Sequence, residues 1–142
     1  MRVIGLDFGL KRIGVAVSDE GGRLAQPLKV ISASAGGKKV MEELGLIISE
    51  YSPEVAVVGD PRSPDGSEGK LGKMAREFAD SVGSRFGLKI VMQDERYSSF
   101  EAEEKLREAG ARNWRARKKR LDRAAAAVIL QDYLDQSMGG RR

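Results

Sequence analysis

Cysteine and histidine are both absent from this chain. Their absence excludes disulfides, thiolate metal sites, cysteine nucleophiles and the commonest general base together. Any chemistry must fall to carboxylates, hydroxyls, Lys, Arg or Tyr, and carboxylate oxygens suit hard Mg²⁺ or Mn²⁺. Also missing is a run of about eighteen apolar residues, the length a membrane helix needs. The N-terminus enters a strand-like stretch directly, without the charged and apolar blocks of a signal peptide. No membrane partner is expected, and the expected location is cytoplasmic. Internal repeats and low-complexity blocks are lacking too. What is present is 142 residues, 41% hydrophobic and 32% charged, enough for one core and too few for two ordinary domains. One domain over 1–142 is expected, with 137–142 as a frayed tail.

Acidic charge is in the minority, 21 Asp and Glu against 25 Lys and Arg, for a net +4. Its distribution says more than its sum. Arg112, Arg115, Arg117, Lys118, Lys119, Arg120 and Arg123 surround a single acid, Asp122. Such a run is either a solvated helix face or a grip on phosphates. Trp114 within it is either a packing anchor or a base-stacking surface.

Hydrophobic periodicity predicts the element order. Arg2 to Leu6 and Ile13 to Ser18 read as a hairpin bent at Phe8-Gly9-Leu10-Lys11, and Leu24 to Ile31 as a third antiparallel strand. Val40, Leu44, Ile47 and Ile48 recur at helical spacing up to Ser52-Pro53. Val55 to Val58 is a short apolar run suited to a strand covered on both faces, followed by a loop rich in Pro, Gly and Ser. A second helix opens at Ser67-Glu68 and carries Leu71, Met74, Ala75, Phe78 and Val82 before Gly83 and Gly87 loosen the chain. Leu88 to Met92 is another buried strand. A third helix follows Ser98 or Ser99 and stops at Gly110, and a final helix runs from near Lys119 to Leu134. The order βββαβαβαα predicts an α/β, RNase H-like fold: a mixed five-stranded sheet, three strands antiparallel and two parallel, with helices on both faces. Its first strand is central, so residues at that strand's carboxyl end face the ligand crevice.

Asp7 ends the first apolar run, and Asp94 and Glu95 end the run Ile90-Val91-Met92. Asp122 shares a helical stripe with Ala125, Ala126 and Ile129, beside alanines that let a helix approach its sheet closely. Each acid has a structural alternative: an Asx turn for Asp7, a cap or a pair with Arg96 for Asp94 and Glu95, a dipole acid for Asp122. Together they would repel unless cations lay between them, and a pair of Mg²⁺ ions about 3.5 to 4 Å apart is the arrangement that hydrolyses phosphodiesters. A helix N-terminus near Ser67, with Arg62 and Lys70 beside it, suits a nucleic-acid phosphate. The segment is not a P-loop, because Pro64 takes the first glycine position and Leu71 the hydroxyl position. Asp7-Phe8-Gly9 is reminiscent of actin-like ATPases, which close two such domains around ATP where this chain has one. Ser18, Ser67 and Ser98 are the available hydroxyl nucleophiles, and none has a histidine to activate it.

The sequence resembles the YqgF family, the RuvX-type pre-16S rRNA nucleases related to RuvC Holliday-junction resolvases, over nearly its whole length. The resemblance rests on Gly5-Leu6-Asp7-Phe8-Gly9 with Arg12-Ile13-Gly14-Val15-Ala16, on Val58-Gly59-Asp60-Pro61 leading to Asp65-Gly66-Ser67-Glu68-Gly69, on Asp94-Glu95-Arg96, and on Leu121-Asp122 before Ala124-Ala125-Ala126. It implies a cytoplasmic nuclease maturing the 5′ end of 16S rRNA, with Asp7, Glu95 and Asp122 at the acidic positions and Mg²⁺ or Mn²⁺ as cofactor. Asp60 stands where the family usually has an apolar residue, Arg62-Ser63-Pro64 where it has a Leu-Asn type sequence, and Tyr97-Ser98-Ser99 where it has Leu-Thr-Thr. Lys11, Arg12, Arg62, Lys70, Arg96, Arg117, Lys118 and Lys119 are the cations expected to meet nucleic acid. The alternatives are a junction resolvase acting on branched DNA as a homodimer, and a non-catalytic ribosome-assembly module. The nuclease itself is compatible with a monomer or a homodimer.

Overall fold

The computed structural model describes residues 1–34, 36–61, 69–94 and 114–139, with side chains of the last segment described from 125 to 137. Five strands, β1 (Val3–Phe8), β2 (Arg12–Ser18), β3 (Ala25–Ser32), β4 (Val55–Asp60) and β5 (Lys89–Asp94), form one sheet in the order β3-β2-β1-β4-β5. β1 to β3 are antiparallel, and β4 and β5 join parallel to β1. The expected mixed sheet is present, with β1 at its centre. Helices α1 (Gly37–Tyr51) and α2 (Lys70–Phe86) cover one face, and α3 (Trp114–Gly139) covers the other.

The division of the core follows from the two-residue period of β1. Ile4 and Leu6 are fully buried against Val40, Leu44 and Ile47 of α1 and Ala79 and Val82 of α2. Val3 faces the other way, with Ala16, Val55 and Val57, against Ala126, Ile129, Leu130 and Leu134 of α3. Burying each of the larger side chains contributes on the order of 1.5 to 3 kcal/mol. At the foot of the hairpin the Ser18 hydroxyl accepts from the Val3 N–H at 2.8 Å and donates to the Asp19 carbonyl. Ser18 is therefore a buried structural hydroxyl, not a nucleophile. The β2–β3 turn is held by Asp19, whose carboxylate accepts from the N–H groups of Arg23 and Leu24. Those two backbone bonds favour its ionised form and hold its pKa below the usual carboxylate range.

Three helix boundaries differ from the sequence expectation. α2 opens at Lys70, with Gly69 as its N-cap, and not at Ser67-Glu68. Gly83 does not loosen α2, which continues to Phe86. A Cβ at Gly83 would lie 2.7 Å from Ile90 Cγ1, so this glycine permits close packing on β5. The final helix begins at Trp114 and reaches Gly139, because no Gly or Pro interrupts 114 to 138 and the Arg, Lys and Ala residues before the apolar stripe are good helix formers. The expected tail at 137 is thus still helical for three residues. The expected helix from 98 to 110 lies outside the described residues. Among those described, no helix is long and apolar enough to cross a membrane.

A close contact between layers is at Gly5, where an added Cβ would meet Leu130 Cβ at 2.8 Å and the Ala126 carbonyl oxygen at 3.1 Å. Gly5→Ala is expected to destabilise the fold by about 1 to 3 kcal/mol through overpacking. Urea unfolding measures this, and a loss under about 0.5 kcal/mol would mean that α3 is not pressed on β1 there.

Candidate functional site

Asp7 lies inside β1, opposite Gly14 of β2, and is half-buried. Its neighbours Leu6 and Phe8 both point to the α1–α2 side, Phe8 stacking at 5.1 Å on Phe78 of α2. Asp7 therefore faces the α3 side. Beyond it the chain turns at Gly9, where a Cβ would lie 2.6 Å from the Arg12 carbonyl oxygen. That tight bend returns Lys11, exposed, and Arg12, half-buried at the start of β2, to the same end of the sheet.

The direction of α3 is set by contacts at two levels. The Gln131 side chain bridges the start of β3, accepting from the Ala25 N–H and donating to the Arg23 carbonyl, both at 2.9 Å. Ala126 and Leu130 abut Gly5. Since Ala25 pairs with Ser18 at the far end of the hairpin, passing back along α3 from Gln131 to Ala126 is passing along β1 toward Asp7. Asp122 stands one turn further in that direction. Its side chain, and those of Arg117, Lys118 and Lys119, lie outside the description. Glu95, Arg62 and Arg96 lie outside the described residues altogether, as do Ser67 and Ser98.

Asp94 is brought elsewhere. It pairs in register with Asp60 and shares the phase of Ile90 and Met92, so both aspartates face the α1–α2 side. Asp60, its side chain 7% exposed, is 3.6 Å from the Arg76 guanidinium of α2. This ion pair was not anticipated. The only sequence signal for it is an acid ending a buried strand together with an arginine on the α2 stripe of Gly72, Ala75 and Ala79. Lys70 opens α2 after Gly69 and is exposed. Among the described residues no three acids gather as a metal site.

The sequence profile of the RuvX family, described as Holliday junction resolvase, matches residues 1–136. The chain belongs to the RuvX family. A relative in Lactococcus lactis subsp. lactis, named "Putative pre-16S rRNA nuclease", is 42% identical over 135 residues and 94% of each chain. Another of that name in Burkholderia ambifaria is 43% identical, covering 94% of this chain and 89% of its own. The fold is that of RuvC from T. thermophilus in complex with a Holliday junction substrate, with TM-score 0.59, 18% identity and coverage of 98% and 97%. It is also that of a fowlpox virus resolvase bound to Holliday junction DNA, with TM-score 0.61, 11% identity and coverage of 97% and 99%. Within the RuvX fold, β1 and α3 supply two of the acidic positions that the sequence singled out, on one face of the sheet.

The Asp60–Arg76 pair supports the opposite face. Arg76→Ala is expected to cost about 1 to 3 kcal/mol by stripping a partner from a buried carboxylate. Adding Asp60→Val should restore most of that loss, because an apolar group replaces a buried charge with little penalty. Denaturant unfolding of both single variants and the double decides it, and losses that simply add would show the two side chains to be uncoupled.

Proposed function

We propose that this chain is a divalent-metal-dependent nuclease that hydrolyses phosphodiester bonds of precursor 16S rRNA, with Asp7, Glu95 and Asp122 as ligands for Mg²⁺ or Mn²⁺. The nuclease class follows from membership of the RuvX family. The metal, its three ligands and the RNA are our reading. The observation that carries it is the position of Asp7 on the α3 face of the central strand, at the end of the sheet toward which α3 extends one turn beyond Ala126 to Asp122. Asp94 closes β5 on the α1–α2 side, away from Asp7, and Glu95 is the acid that the resemblance puts at the family's second acidic position. The donors are all carboxylate oxygens in a chain without His or Cys, which fits a hard cation.

Asp7, Glu95 and Asp122 would hold such ions, which would supply activation of water and compensation of charge on the leaving oxygen. The chain itself carries Asp7 on the central strand and Asp122 on α3, so that the packing of α3 on β1 governs the spacing of those two positions. Among the described residues Ser18 is occupied at the foot of the hairpin, and the chain has no His to activate a hydroxyl. Hydrolysis by water without a covalent intermediate is the consistent route. The setting for such a substrate is the cytoplasm, and one active site suffices for it. A second reading, cleavage of branched DNA, draws on the description of the family and would need a homodimer to cut two strands symmetrically.

Asp7→Asn keeps nearly the same volume while weakening ligation, so cleavage of 5′-extended rRNA precursor with Mn²⁺ should fall at least about 100-fold. EDTA should have the same effect, and Mn²⁺ binding measured by calorimetry should weaken with it. Undiminished cleavage by the folded variant in EDTA would sink the metal mechanism, and cleavage of four-way junctions alone would transfer the activity to DNA.

Arg115, Arg117, Lys118, Lys119, Arg120 and Arg123 share α3 with Asp122 and, with Arg112 before it in the sequence, are read as a grip on the strand being cut. Neutralising Lys118 and Lys119 should reduce the slope of log affinity against log salt by roughly 0.7 per lost contact with a single strand. An unchanged slope would leave them as solvated surface.

A further inference from the structure

The α3 face of the sheet does not end at Asp7. In the antiparallel half, Asp7 stands opposite Gly14, and Gly14 opposite Val30 of β3. Arg12 stands opposite Ser32 in the next row. Ile13 and Ile31, between these rows, are buried on the α1–α2 side. Arg12, Val30 and Ser32 therefore share the face of Asp7. With Lys11 and Ser34 they line an open groove of about 530 Å³. The Ala33 N–H, donating to the Lys11 carbonyl at 2.9 Å, ties the end of β3 to the hairpin bend.

The chemistry of this groove is that of an anion site. Among the described residues that line it none is acidic, and two, Lys11 and Arg12, are basic. The Ser32 and Ser34 hydroxyls lie 2.7 Å apart and share one hydrogen bond. Ser32 Oγ also accepts from the Ser34 N–H. Of the two hydroxyl protons the mutual bond consumes one, and the other remains to donate. Val30 lies two strand spacings from Asp7, about 10 Å, and the residue between them is glycine, with no side chain to divide the surface.

We propose that Lys11, Arg12, Ser32 and Ser34 form a backbone-phosphate site for the nucleic-acid strand whose scissile phosphate lies at Asp7. The proposal rests on the nuclease reading above and adds to it the course of the strand, from Asp7 across β2 to the β3 edge. Arg12 and Lys11 supply charge, and the serine pair supplies a neutral donor.

The test is fluorescence anisotropy on the full chain carrying Asp7→Asn, with a labelled single-stranded RNA oligonucleotide in EDTA, as salt is varied between about 50 and 200 mM. Adding Lys11→Gln and Arg12→Gln should reduce the salt slope by about 1.4 and weaken binding about 25-fold at 0.1 M salt, the counterion-release contribution of two single-strand contacts. Lys11→Gln alone, at an exposed turn position, should reduce the slope by about 0.7 and covers the case in which the double variant does not fold. Adding Ser32→Ala and Ser34→Ala should weaken binding with the slope unchanged, since neutral donors release no counterion. An unchanged slope and affinity on losing Lys11 would overturn the proposal, as would amide shifts at Ser32 and Ser34 with inorganic phosphate but none with RNA. Cleavage by the unsubstituted chain is measured alongside. If that chain cuts while the lysine variant binds as its parent does, the groove fails and the nuclease reading stands. If slopes fall as expected but nothing is cut, the nuclease reading fails and the groove stands.

Discussion

The contact of α3 with β1 at Gly5 is the constraint on which the candidate site depends. A helix normally rides on a sheet at a distance set by the side chains between them, and here that layer is reduced to a missing Cβ below Ala126 and Leu130. Small residues on both sides make this possible, because Ala125 and Ala126 are buried where α3 meets the sheet. The close approach brings the N-terminal half of α3 over the end of β1 that carries Asp7. A bulkier residue at Gly5 would act on that arrangement without touching a single acid.

The alternation of β1 then divides the molecule into two faces with different work. Ile4, Leu6 and Phe8 anchor α1 and α2, and the core they build is the larger of the two clusters. Asp7, between Leu6 and Phe8, inherits a fixed direction from those anchors. The same alternation in β4 and β5 sends Asp60 and Asp94 to the structural face, where Arg76 of α2 meets Asp60. Acids of similar appearance in the sequence are thus sorted by strand phase alone. A one-residue slip of β5 would turn Asp94 to the other face, so the parallel register of β4 with β5 fixes where that carboxylate points as well as contributing stability.

Much of the architecture was legible in the residues because it rests on short-range pattern. Apolar runs of three or four residues mark β1, β4 and β5, and the spacing of Val40, Leu44 and Ile47 marks α1. The position of Asp7 was legible for the same reason, as an acid interrupting a buried strand next to a glycine bend. The length of α3 was not. Its first turns are charged, and the expectation followed the apolar stripe where helix propensity and the lack of Gly or Pro extend the element further.

What the sequence by itself determined was the kind of chemistry available, oxygen ligands without His or Cys, and the order of elements that makes β1 central. Only the tertiary structure decided which acids share a face, that Gly83 and Gly5 serve close packing, that Asp60 belongs to Arg76, and that Ser32 and Ser34 meet Lys11 and Arg12 in one groove. The physical reason is that composition and periodicity are local properties of the chain. Facing, register and interlayer distance arise only when strands distant in sequence hydrogen-bond in one register and helices pack down on them.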